Sequence, residues 1–166
     1  MHHCIINGEI DSDTVLKLHD DLAQLNADKR VKCINILVHS VGGSYYDGLA
    51  MYHMLKTNIK PVHTIGGGIV ASAAMLPYMA GKKRVASSAT WFLFHEGAST
   101  ANGTQKYSEI MIDVKHGVSI DAQYNKIVAK ESGAMLKLIS KLNSKTNYIT
   151  GEAAAKLGIV TNLISL

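Results

Sequence analysis

Two residues in this 166-residue chain stand where a nucleophile and its general base could stand, Ser72 and His95. Ser72 follows the run Gly66-Gly67-Gly68-Ile69-Val70-Ala71, at the expected start of a helix. Backbone N–H groups exposed at such a start favour a developing oxyanion. The small neighbours Ala71, Ala73 and Ala74 leave room for a substrate backbone to approach. Taken alone, a serine there also reads as a helix cap or a small packing residue. His95 ends the apolar run Trp91-Phe92-Leu93-Phe94 and precedes a glycine-containing loop. Side chains at such strand ends are the ones α/β folds expose for reaction, although a lone histidine also reads as an ordinary core or surface residue. His19, His39, His53, His63 and His116 have no comparable position. Gly42-Gly43 can offer a backbone N–H to an acyl oxygen, or can be a plain turn between strand and helix.

Other motifs carry less chemistry. Gly66 to Ala71 fits a G-x-G-x-x-A dinucleotide fingerprint, which also wants an acidic residue about 20 positions later to hold a ribose. The next acid is Glu96, 30 positions on, so that reading is rejected. His2, His3 and Cys4 could ligate a soft metal, but at a chain end they read as a frayed terminus. Neither a metal nor an organic cofactor is expected. The net charge of +4, from 17 Lys+Arg and 13 Asp+Glu, is scattered, with Lys82-Lys83-Arg84 the one basic run. A nucleic-acid footprint needs a dense patch, so no nucleic-acid partner is expected. Cys4 and Cys33 make no disulfide framework and read as reduced thiols of a cytoplasmic protein. No run approaches the roughly 18 apolar residues of a membrane span, and no signal peptide is apparent.

The elements that must position Ser72 and His95 follow from periodicity. Ile5-Ile6 reads as a strand ending in an Asn7-Gly8 turn. Asp11, Ser12 and Asp13 offer caps for a helix with Val15, Leu18, Leu22 and Leu25 at helical spacing. Val31 to Val38 reads as a buried strand, Gly42-Gly43 as a break, and Asp47 to Lys56 as a helix. A strand over Val62 to Ile65, a tight turn at Gly66-Gly67-Gly68 and a helix from Ala71 to Ala80 follow. Arg84-Val85 and Trp91 to Phe94 are further strands. Gln105 to Leu142 is mostly helical, with breaks at Gly117 and Ser132-Gly133, and a last helix runs from Glu152 to Leu157 before Ile159-Val160. Alternating strands and helices predict one α/β domain with parallel pairing over residues 1–166. The charged fraction of 18% is low beside 47% hydrophobic residues, a first hint of surface buried in an oligomer.

Read together, five segments resemble the Clp protease proteolytic subunit (ClpP) family of the crotonase-like superfamily. They are His39-Ser40-Val41-Gly42-Gly43, Asp47-Gly48-Leu49-Ala50-Met51-Tyr52, Gly68-Ile69-Val70-Ala71-Ser72-Ala73-Ala74-Met75, Phe92-Leu93-Phe94-His95 and Tyr148-Ile149-Thr150-Gly151-Glu152-Ala153-Ala154. The Asp47–Tyr52 segment looks most like the ClpP-like head-maturation proteases of tailed phages and prophages. The resemblance implies a spiral of ββα units with a protruding helical handle at about residues 97–142. It implies a serine endopeptidase in which Ser72 is the nucleophile, His95 the base, and the N–H groups of Gly43 and Ala73 the oxyanion hole. A polypeptide substrate would pair as an added strand between Gly43–Tyr45 and the segment after His95, with Gly42 and Ser44 as substrate-binding positions. The implied assembly is a homo-oligomeric ring, heptameric or doubled, in a bacterial setting that includes prophage-encoded members.

Three positions depart from the family pattern. The acid that orients the histidine should stand just before Tyr148-Ile149-Thr150, where this chain has Thr146-Asn147. Either could be a weaker orienter; the alternative is a catalytically silent ring subunit. The chain opens at its first strand, without the segment that docks an ATPase in the family, so an AAA+ unfoldase partner is disfavoured. Val41 replaces the family's usual proline, which relaxes the backbone before Gly42. Two further readings remain: an acyl-CoA enzyme using Gly43 and Ala73 N–H groups on a thioester, and a Ser–Lys dyad drawing on Lys82 or Lys83.

Overall fold

The computed structural model describes residues 3–98 and 106–164. Its elements run in chain order as β1 (Cys4–Ile10), α1 (Ser12–Ala27), β2 (Ile34–Gly43), α2 (Tyr45–Lys56) and β3 (Val62–Ala71). A single 3-10 turn at Ser72–Ala74 then leads into α3 (Met75–Met79). β4 (Lys83–Ser87), β5 (Trp91–Phe94), α4 (Tyr107–Ser132), α5 (Leu136–Asn143), β6 (Asn147–Thr150), α6 (Gly151–Lys156) and β7 (Asn162–Ile164) complete them. The strands form one seven-stranded mixed sheet, in which β1, β2, β3, β4 and β7 are parallel neighbours. β3 is long enough to serve two partners: its first half pairs with β4 and its last residues, Ile69 to Ala71, with β5. β5 then pairs antiparallel with β6. The α/β expectation therefore holds, with the antiparallel β5–β6 pair as the addition.

Local chemistry sets the boundaries. Asp11 caps α1, its carboxylate accepting the Thr14 N–H while Thr14 Oγ1 accepts the Asp11 N–H, both at 2.9 Å. β2 starts later than expected, because Asp28 clasps Arg30 through its backbone N–H and guanidinium and curls the chain before Ile34. It also runs further: Gly42 and Gly43 are its last residues, not a separate turn. Gly8 likewise lies inside β1, beside a register shift, and not in a turn after it. Gly66-Gly67-Gly68 lies inside β3, and the helix after it starts only at Ser72, as a 3-10 turn. Between the pairs Val38–Gly66 and Ser40–Val70 the chain of β3 bulges past β2. His39 presses on that bulge, where a Cβ on Gly67 would lie 2.8 Å from the His39 Cβ.

The core is a slab of fully buried side chains on the face of the sheet to which alternate residues of β2 and β3 turn. Ile34, Ile36 and Val38 meet Met51, Met75, Leu76, Met79, Phe92 and Phe94. The expected break at Gly117 is absent: α4 continues through it, since one glycine lowers helix stability by only about 1 kcal/mol. The break at Ser132-Gly133 is present, with Gly133 at φ 76°. The C-terminal half of α4 packs through Tyr124, Val128 and Ala129, whereas Tyr107, Met111, Ile112, Val114 and Val118 of its first half are exposed. Residues 99–105, within the expected handle, lie outside the described residues, as does His2. His3 accepts the Asn35 N–H, and Cys4 is buried in β1, where burial pushes its thiol up to about 11. No helix among the described residues is long and apolar enough to cross a membrane.

One buried cation ties the C-terminal segments to the sheet. The Arg84 guanidinium on β4 donates to the carbonyls of Ile159 (2.8 Å), Gly81 (3.1 Å), Glu131 (2.9 Å) and Gly158 (2.9 Å). Arg84→Met leaves these carbonyls without their donor, and is expected to lower unfolding free energy by about 3 kcal/mol in urea titration. A loss under about 1 kcal/mol would mean that water replaces the guanidinium without penalty.

Candidate active site

Ser72 sits at the junction where β3 leaves the sheet. Its φ of 53° makes it the sole non-glycine with a left-handed backbone among the described residues. Such strain persists only where surrounding structure holds it, and concentrates at functional positions. Two contacts hold it here. Tyr124 Oη donates to the Ser72 carbonyl at 3.4 Å, and Gly42 packs directly beneath, where a Cβ would lie 2.7 Å from the Ser72 Cβ. The capping position of the 3-10 turn is Ala71, with no side-chain cap, so the Ser72 hydroxyl does not serve as one.

His95 is the first residue past β5, half-buried. Its Nδ1 lies 2.7 Å from the Glu96 carbonyl oxygen. A carbonyl only accepts, so Nδ1 carries the proton and the neutral ring keeps its lone pair on Nε2. That is the tautomer a general base needs.

Ser72, Ala73 and His95 line one cavity of ≈ 630 Å³ together with Gly43 and Ser44. Gly42 lies behind this wall, its N–H donated to Ser40 Oγ at 3.0 Å. Ser44 ends the extended segment and caps α2, accepting the Asp47 N–H at 3.3 Å. The extended stretch thus stops at Gly43, and Tyr45 already belongs to α2. Ala73 keeps its backbone close to Gly42, whose virtual Cβ would lie 3.1 Å from the Ala73 nitrogen.

Thr146 and Asn147 differ in their relation to His95. The β5–β6 ladder pairs Phe94 with Asn147, and Phe94 faces the core. The ladder ends there; continued by one residue, its register would set His95 opposite Thr146, on the other face of the pair. Thr146 is exposed. Asn147 turns its amide away, donating to the carbonyls of Leu142 (2.6 Å) and Lys145 (2.9 Å). Lys82 and Lys83 lie at the opposite end of β3, where Lys83 pairs with His63, and so cannot reach Ser72.

The far wall of the cavity comes from α4, and sequence reasoning did not place it there. His116, Asp121 and Tyr124 face it, with Tyr45 and Tyr46 from α2. Tyr46 Oη hydrogen-bonds His116 Nε2, and Tyr45 Oη donates to Gln123 at 2.9 Å. Asp121 Oδ1 accepts the Gly97 N–H at 3.0 Å and lies 3.5 Å from the Asn143 amide nitrogen. Burial raises the Tyr45 hydroxyl above its usual range, Tyr46 and Asp121 adding to it, and burial raises that of Tyr124 further. No group of three or more metal-ligating side chains occurs among the described residues.

A family model described as Clp protease matches residues 2–166. The ATP-dependent Clp protease proteolytic subunit 3 of Rhizobium etli is 31% identical over 163 residues, covering 96% of this chain and 82% of that protein. Subunit 2 of Treponema denticola is 28% identical over 161 residues, covering 96% and 80%. Among solved structures, an Asn-to-Asp mutant of ClpP1 from Listeria monocytogenes superposes with a TM-score of 0.86 at 25% identity, covering 99% of this chain and 92% of that one.

Proposed function

This chain belongs to the Clp protease family, and we propose that it is a serine endopeptidase that cleaves extended polypeptides with Ser72 as nucleophile and His95 as general base. The observation that carries this reading is the meeting of a strained Ser72 and a correctly protonated His95 on one cavity wall. In the first step His95 Nε2 takes the Ser72 Oγ proton as Oγ attacks the scissile carbonyl. The N–H groups of Ala73 and Gly43 receive the oxyanion, each such donor being worth about 3–4 kcal/mol. The imidazolium then gives its proton to the leaving amine, and water deacylates Ser72 by the same route reversed.

Fluorophosphonate labelling of native protein tests the reading. Adduct on Ser72 that is lost in His95→Ala supports it; no adduct in an intact assembly favours a silent structural subunit, the reading suggested by the missing acid at 146–147. The exposed apolar side chains of α4, Met111, Ile112, Val114 and Val118 among them, support burial of this face between copies in a ring. The Asp47–Tyr52 motif supports a phage-type role, with capsid or scaffold proteins as the substrate class.

The two candidate orienters separate by mutation. Thr146→Asp brings a carboxylate opposite His95 and is expected to raise kcat/KM by about tenfold. Asn147→Asp instead turns a carboxylate on the carbonyls of Leu142 and Lys145, and is expected to lower stability by about 2 kcal/mol with no gain in rate. Peptide turnover and thermal unfolding of both variants check this, and a gain from Asn147→Asp alone would reverse the assignment.

A further inference from the structure

We propose that Asp121 supplies the electrostatic part of the missing triad acid, acting on His95 through the peptide group between Glu96 and Gly97. The inference rests on the Ser72–His95 reading above and deepens it. The two hydrogen bonds flanking His95 share one peptide unit. The Glu96 carbonyl oxygen accepts His95 Nδ1–H at 2.7 Å, and the Gly97 N–H of that same unit donates to Asp121 Oδ1 at 3.0 Å. The chain of groups is therefore carboxylate, N–H, C=O, Nδ1–H and imidazole.

An anionic acceptor on the N–H end draws amide electron density toward the carbonyl oxygen. Hydrogen bonds in series polarise one another, by about 10–30% each, and charge-assisted bonds are about twice as strong as neutral ones. The Glu96 oxygen thereby becomes a better acceptor for Nδ1–H. It holds the tautomer with the Nε2 lone pair, and holds it harder once His95 has taken the Ser72 proton and become a cation. No proton passes to Asp121; it is a positioning residue that touches neither substrate nor the reacting atoms.

The surroundings suit this role. Asp121 lies on α4 one turn before the buried Tyr124, whose hydroxyl holds the Ser72 carbonyl. One helix face thus fixes both halves of the dyad. The buried Asn143 of α5 backs the carboxylate. The other charged or titratable groups of this cavity are Asp113 and His116 on α4, and Tyr45 and Tyr46 on α2, with Glu96 on the exposed segment itself. Tyr45 bonds Gln123, and Tyr46 and His116 bond each other, so their polar atoms are engaged away from the Glu96–Gly97 peptide.

Asp121→Asn is the test, because its amide oxygen can still accept the Gly97 N–H while the charge is gone. A mere clasp for the loop survives this change; a polarising charge does not. Nitrogen NMR of the His95 ring, at a pH where the ring is neutral, reads the tautomer directly and needs no catalysis. The wild-type ring is expected to carry its proton on Nδ1, and Asp121→Asn to shift a measurable fraction to Nε2. Peptide turnover is expected to fall about tenfold in kcat with KM within about twofold. Thr146→Asp, placed in the Asp121→Asn background, is expected to restore the rate. An unchanged tautomer in Asp121→Asn would overturn the relay while leaving the Ser72–His95 dyad standing. An equal tautomer shift in Asp113→Asn would also overturn it, since total cavity charge would then be the cause. The expected tautomer shift in a protein whose Ser72 takes no fluorophosphonate would instead keep the relay and remove the dyad.

Discussion

Ser72→Ala is expected to yield a folded protein that takes no fluorophosphonate and hydrolyses peptides at least about 10⁴-fold more slowly. Removing the nucleophile of a Ser–His centre removes the covalent route altogether, and only oxyanion stabilisation and binding remain. The fold should hardly notice. The hydroxyl is not a helix cap, and alanine meets the same left-handed backbone at φ 53° that serine already occupies. Unfolding free energy is therefore expected to stay within about 1 kcal/mol of wild type. Turnover of a fluorogenic peptide, with thermal unfolding alongside, separates the two effects. Wild-type turnover in Ser72→Ala would sink the mechanism. A large loss of stability would mean that the hydroxyl carries structure at the β3–α3 junction.

The distance between what the residues announced and what the fold built is instructive at particular places. The capping box at Asp11, the apolar stripe of α1 and the break at Gly133 are local, and local chemistry predicts them. Ser72 and His95 were legible because both follow apolar strand segments, and parallel strands bring such ends to one edge of a sheet. Glycine misled in two ways. Gly66-Gly67-Gly68 has the composition of a turn, yet it is strand, because His39 of the neighbouring β2 needs the space that a side chain on Gly67 would fill. That demand comes from a residue far away in sequence and leaves no local trace. Gly117 has the composition of a break but lies inside 26 residues of continuous α4, whose neighbours carry it through. The wall supplied by α4 was the least legible part. His116, Asp121 and Tyr124 stand five and three residues apart on α4, which places them on one broad side of it and says no more. That this face folds back over His95 depends on how α4 packs beside α3 and α5, which no spacing encodes.

The same reasoning gives Gly42→Ala an effect far beyond one methyl group. Gly42 has φ 94°, a backbone conformation that alanine resists. Its new Cβ would also lie 2.7 Å from the Ser72 Cβ and 2.8 Å from the Ala71 carbonyl oxygen. Neither neighbour is the free end of a flexible side chain, so the backbone itself must move. The residues that must give way are Ala71 and Ser72, and the Ala73 nitrogen lies only 3.1 Å from the same point. Nucleophile and oxyanion donor are therefore displaced together. A misplacement of about 1 Å can reduce rate by about 10²-fold, and losing one oxyanion donor by about 10²- to 10³-fold. Gly42→Ala is thus expected to lower kcat by about 10³-fold, with about 2 kcal/mol lost in stability. Labelling and turnover at a temperature where the variant is still folded distinguish misplacement from unfolding. Near-normal labelling there would show that the Ser72 turn yields without losing its reactive geometry, and the strain at φ 53° would then not be what places the nucleophile.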